Sequence, residues 1–136
     1  MECNKFGRFL QICFGCHARP ERSFFFRGKQ FPICARCTGE LIGMLAGIPI
    51  AIFAGYPDFP VVILMMIPMV LDGFLQLLTT YESGNIRRLL TGMLFGVAFI
   101  FCFIYFHRAC FTLAAEIMKL FVDDPEKIER ALEVFL

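Results

Sequence analysis

Three stretches of this chain are long and apolar enough to cross a bilayer, and they constrain every other reading. Thr38 to Tyr56 carries one charge, Glu40; Phe59 to Thr80 carries only Asp72; Leu89 to Phe106 carries none. A hydrocarbon core of about 30 Å needs roughly 20 apolar residues at about 1.5 Å each, so each stretch has the length of a membrane span. Lipid offers no partner for backbone N–H and C=O groups, and a single span meets that demand as a helix. Composition agrees: the chain is 58% hydrophobic and 18% charged, against about 25% charged in a soluble domain. Pro49 and Pro68 fall inside two spans, where neighbouring helices re-satisfy the freed carbonyls. The first residues lack the apolar run and cleavage site of a signal peptide.

The expected fold is therefore an all-α membrane protein. It has about three transmembrane helices (residues 38–107), an N-terminal interfacial helix and Cys-rich cap (1–37), and an amphipathic C-terminal tail (108–136). Lys5, Arg8, Arg19, Arg22, Arg27, Lys29 and Arg36 precede the first span, the loop GYPDFP has no basic residue, and Arg87 and Arg88 follow the second span. The positive-inside rule then predicts a multi-pass protein of the cell membrane, with the amino terminus and second loop cytoplasmic. The basic residues are explained by topology, and no nucleic-acid-binding motif accompanies them, so nucleic acid is not an expected partner.

Both ends read as amphipathic. Phe6, Phe9, Leu10 and Phe14 oppose Lys5 and Arg8, which suits either a surface-lying helix or an ordinary packed one. Thr112, Glu116, Lys119 and Asp123 form a polar stripe that either lies in the interface or extends the third helix. Asp124-Pro125 is the start signature of a final helix to Leu136. A fourth crossing is the alternative topology.

Cys13-x2-Cys16 and Cys34-x2-Cys37 have the spacing with which two knuckles supply four thiolates to one tetrahedral zinc. SFFFRGKQF between them reads as two extended runs about a Gly28 turn, which would fold the pairs together. Two other readings stand beside zinc. The thiols can be ordinary reduced cysteines, or Cys34 and Cys37, at a helix start beside Arg36, can be redox-active. His17 is an alternative metal ligand. A cap this small has little core of its own, so bound metal would supply folding free energy directly.

Polar residues within the spans gather at one depth: Arg36, Thr38 and Glu40 on the first helix, Asp72 and Gln76 on the second, Arg87, Arg88 and Thr91 on the third. Asp72 and Gln76 share a face at i,i+4, as do Arg87 and Thr91. A carboxylate about 12 Å into the bilayer must be paired and face the bundle, which makes Asp72 a candidate site residue with Arg36, Arg87 or Arg88 as partner. A purely structural clamp is the competing explanation. Gly39, Gly43 and Gly47, with Gly92 and Gly96, recur every four residues, a spacing that permits close helix contact within one chain or between chains.

CHARPERSFFFRGKQFPICARCTG, then DGFLQ, then SGNIRRLLTG resemble the domain of unknown function 2085, a family of small predicted membrane proteins, over roughly Cys16 to Gly96. The resemblance emphasises Cys16, His17, Pro20, Glu21, Arg22, Ser23, Cys34, Arg36, Thr38, Gly39, Asp72, Gly73, Gln76, Ser83, Asn85, Arg87, Thr91 and Gly92. Cys13 is outside the pattern, and the Cys37 position can be Asp in relatives. The candidate ligand-binding set is Arg22, Arg36, Asp72, Gln76, Asn85, Arg87 and Thr91; the candidate zinc ligands are Cys13, Cys16, Cys34 and Cys37.

Two functions fit. One is binding or transport, by a homo-oligomer in contact with membrane lipids, of an anionic ligand or lipid headgroup at the arginine-rich mouth. The other is a membrane-interface enzyme with Asp72 or His17 as general base. A metal or thiol sensor would use the cap alone.

Overall fold

The structure is a computed structural model and describes residues 5–119. The elements in order are α1 (Lys5–Cys13), a 3₁₀ turn (Pro20–Arg22), β1 (Phe25–Phe26), β2 (Lys29–Gln30), α2 (Ala35–Phe53), α3 (Phe59–Leu78) and α4 (Asn85–Lys119). The fold is mostly helical, and α2, α3 and α4 are each long and apolar enough to span a membrane. Large apolar side chains lie exposed along them, among them Leu45, Ile52, Leu64, Leu71 and Leu90. That is the surface a helix presents to lipid rather than to water.

The first span starts three residues earlier than hydropathy alone suggests. Cys34 is its N-cap residue, and the Thr38 hydroxyl bonds back to the Cys34 carbonyl at 3.0 Å. The third starts at Asn85 and continues as helix through Thr112 and Glu116, so the polar stripe extends the span. Residues to Phe101 form one compact unit and those from Cys102 a second. Asp123 and the expected helix from Pro125 lie outside the described residues.

In the first unit, α2 and α4 meet backbone to backbone. A Cβ placed on Gly39 would overlap the carbonyl of Leu89, and one on Gly43 the carbonyl of Met93. Gly92 and Gly96 stand in the same relation to the carbonyls of Arg36 and Glu40. The glycine spacing therefore serves packing inside this chain, and hydrogen in place of a side chain is what permits the approach. On α3 the buried residues are Val62 and Asp72.

The cap folds as the turn residues dictate. Arg27 and Gly28 have φ of 50° and 75°, the pair of positive values that a two-residue hairpin needs to match strand twist. Phe25 then faces Gln30 and Phe26 faces Lys29. Gln30 Nε2 donates to the Ala18 carbonyl at 2.6 Å and Gln11 Nε2 to the Pro32 carbonyl at 2.7 Å, which ties the hairpin and α1 to the intervening loops. Leu10, Ile33 and Cys37 are the buried apolar centre, with Phe14, Cys16, Cys34 and Leu41 around it.

Candidate functional site

The end of α3 and the starts of α2 and α4 bring their polar residues to one place. Asp72 is 2% exposed, and its Oδ2 accepts from Arg36 Nη2, from Gln76 Nε2 at 2.7 Å and from Ser83 Oγ at 3.1 Å. Its other oxygen, Oδ1, lies 3.8 Å from Arg87 Nε. Arg88, 4% exposed, donates to Ser83 Oγ at 3.1 Å, to Gln76 Oε1 at 3.1 Å and to Asn85 Oδ1 at 3.4 Å. One carboxylate thus sits among three guanidinium groups, two of them linked to it directly and one through Ser83 and Gln76.

Other residues of the expected set occupy different positions. Arg22, half-buried, pairs with the exposed Glu82 at 3.3 Å. The Thr91 hydroxyl bonds back to the carbonyls of Arg87, at 3.0 Å, and Arg88, at 3.3 Å, so it serves its own helix. Arg87 is 60% exposed in its side chain and donates to the Tyr81 hydroxyl at 2.9 Å. His17 is exposed.

Arg88 and Ser83 are the residues that the expected site did not include, although Arg88 was a possible partner of Asp72. The signal for Arg88 was present: Arg88, Gly92 and Gly96 are spaced four apart and share a face, and the glycines mark the face that packs on α2. Arg87, one residue away, points about 100° round the helix. Ser83 carried only the resemblance, because a loop serine has no periodicity to place it.

Two buried polar atoms in the cluster, Arg36 Nε and Asp72 Oδ1, have no hydrogen-bond partner among the described residues. Buried groups of this kind are uncommon. They offer one donor and one acceptor on the two members of a single ion pair.

Beside the cluster, at the start of α2, the sulfurs of Cys16, Cys34 and Cys37 lie within 4.8 Å of one another, close enough to share a metal ion. Cys34 and Cys37 sulfurs are 3.5 Å apart. Backbone N–H groups of Ala18, at 3.4 Å, and Cys34, at 3.1 Å, point at Cys16 Sγ and fix its place beside the other two sulfurs. The hydrogen bond from the Cys37 thiol is the main cause that lowers the Cys34 thiol to about 5. Three soft donors suit zinc or a comparably thiophilic ion.

Cys13 is not in this group. It ends α1 as an exposed residue, about 100° round from Phe14, which turns toward the cap centre. Gly15, at φ 56°, then redirects the chain so that Cys16 enters alone. Of the four cysteines expected together from the spacing, three bring their sulfurs within reach of one another.

Comparison with known proteins fits this boundary. Residues 16–102 match the family of predicted membrane proteins designated domain of unknown function 2085. The chain belongs to this family. The family match begins at Cys16, so it takes in the three converging sulfurs and the whole Asp72 cluster and leaves out Cys13. An uncharacterised protein of Methanothermobacter thermautotrophicus is 40% identical over 88 residues, covering 60% of this chain and 78% of the relative. One of Methanocaldococcus jannaschii is 37% identical over 112 residues, covering 74% and 72%. No solved structure matches the chain.

Proposed function

We propose that this member of the family binds an anionic ligand or lipid headgroup at the Asp72 cluster, on the cytoplasmic side of the cell membrane, beneath a cap held by zinc. The observation that carries the reading is charge. Arg36, Arg87 and Arg88 surround the single carboxylate of Asp72, which leaves two positive charges over. Counting Glu40, one turn along α2, as fully ionised still leaves one. A surplus cation near the low-dielectric bilayer is costly unless an anion meets it.

The unpartnered Arg36 Nε and Asp72 Oδ1 refine the class of ligand. An occupant that accepts from the first and donates to the second carries a hydroxyl as well as its charge, as a phosphomonoester, a hydroxy acid or a polyol headgroup does. Arg87, exposed and 3.8 Å from Oδ1, is the side chain best able to move aside for it. Transport, as opposed to binding, would require a homo-oligomer, because three helices are too few to enclose a polar path through lipid.

The three thiols would hold zinc through Cys16, Cys34 and Cys37, with a fourth ligand from outside this group. Zinc there would act as a structural ion, fixing the cap above the cluster.

Purified full-length protein in nanodiscs tests both halves. Added inorganic phosphate, or anionic in place of zwitterionic lipid, should raise the thermal midpoint; phosphate alone acting would identify a soluble ligand and lipid alone a headgroup. No shift from either would refute anion binding. Metal analysis should find about one zinc per chain, lost in Cys16→Ser. Stable metal-free protein with a reversible Cys34–Cys37 disulfide would replace zinc by redox chemistry.

A further inference from the structure

The hairpin between the two cysteine knuckles has no part in the cluster or the sulfur group, yet its composition is unusual for a water-exposed turn. Phe25 is 58% exposed, Phe26 64% and Phe31 39%. Arg27 and Lys29 lie among them, and the Arg27 guanidinium stands 5.5 Å from the centre of the Phe26 ring. Phe26, Arg27, Lys29, Gln30, Phe31 and Pro32 line an open cleft of about 330 Å³. In water, three exposed aromatic rings on one two-stranded turn would be an aggregation hazard.

Two further facts identify what covers them. Phe31 precedes the start of α2 at Ala35 by four residues, a reach of at most about 14 Å, so this edge of the hairpin lies close to the start of the first span. The surrounding charge is also of one sign: from Lys5 to Arg36 the chain has seven basic residues and one acid, Glu21. Helix α1 repeats the pattern, with Phe6, Phe9 and Ile12 exposed at 65%, 61% and 74% beside Lys5 and Arg8. Aromatic rings among cations at the foot of a membrane helix match the chemistry of an anionic leaflet: rings enter the headgroup and upper acyl region, and cations stay with the phosphates.

We propose that the β1–β2 hairpin is a membrane-interface anchor that docks on anionic lipid, with Phe25, Phe26 and Phe31 entering the leaflet and Arg27 and Lys29 binding headgroup phosphate. The two-residue positive-φ turn at Arg27 and Gly28 sets Arg27 and Lys29 on the same short hairpin as the exposed rings. This anchor is separate from the Asp72 cluster and stands whether or not the cluster binds an anion.

The chain contains no tryptophan, so Phe26→Trp gives a single fluorescent reporter at an exposed position. The full-length variant is reconstituted in phosphatidylcholine vesicles with increasing phosphatidylglycerol. Lipids brominated near the headgroup should quench the introduced tryptophan, and acrylamide in the water should not. Adding Arg27→Gln or Lys29→Gln should weaken docking about fivefold per cation removed, seen as a higher phosphatidylglycerol fraction needed for half-maximal quenching. Phe99→Trp, on α4, reports correct insertion and should be quenched by deep bromines in every vesicle. With that control intact, acrylamide quenching of the hairpin reporter without bromine quenching overturns the proposal. Protection that rises with protein density and ignores bromine also overturns it, since the hairpin would then be covered by a second copy. Bromine quenching indifferent to phosphatidylglycerol and to both cations would overturn the assignment to anionic lipid.

Discussion

Helix α2 meets its two neighbours by opposite means. Toward α4 it presents Gly39 and Gly43, and the contact is backbone on backbone; toward α3 it presents Arg36, and the contact is charge on charge. The first kind has almost no freedom, since a single methyl group already collides with a carbonyl. The second can exchange partners, because Asp72 has several donors within reach and an oxygen to spare. In a lipid solvent, where apolar surface gives helices little reason to associate, close van der Waals contact and polar pairing are the two remaining sources of association. This protein uses one on each side of the same helix.

The largest effect is expected where the charged contact is cut. Asp72→Ala leaves Arg36 and Arg88 without their buried counter-charge and should cost about 3–5 kcal/mol in a denaturation series in mixed micelles. Asp72→Asn, which keeps the shape and can still accept from Gln76 or Ser83, sharpens the point. It should retain more of the stability than Asp72→Ala yet lose the response to phosphate or anionic lipid. Parallel loss of both would make the cluster a structural clamp alone.

Gly43→Ala attacks the other side and should cost about 1–3 kcal/mol, since the backbone of Met93 has to retreat. Gly73→Ala, on α3, is its control. There the added carbon meets only Arg36 Nη1, at 3.9 Å, and the same assay should register little change. Smallest is Arg87→Gln: an arginine 60% exposed contributes about 1 kcal/mol or less to stability. Its loss should still reduce the anion response, because it removes one of the surplus charges.

Much of this arrangement can be read without coordinates, and the limits have physical causes. Charge-poor runs of membrane length located the three spans, and the four-residue spacing of Asp72 and Gln76 placed both on one face. Arg36 was among three candidate partners for Asp72, all of which proved to belong to the cluster. The order of burial among them was not legible from hydropathy, because Arg87 and Arg88 are equivalent until the rotation of α4 is known. That rotation is set by Gly92 and Gly96. The cysteine spacing indicated two knuckles, but spacing alone does not say that Cys13 would be left on the outer turn of α1. The loop position Ser83 follows no periodic rule at all.

The glycine contact between α2 and α4 repeats every four residues on both helices. A displacement of α4 by one repeat, about 6 Å along the axis, would again set a glycine against a backbone. By themselves the glycines therefore define a ruler with several equivalent marks. What distinguishes one mark from the next is the polar end: in the shifted position Arg88 would lose Gln76, and Gly96 would face Arg36 with no cation of α4 at the level of Asp72. The charged cluster thus selects the register in which the glycine ladder closes, and a sequence change there would alter which turn of α4 lies against which turn of α2.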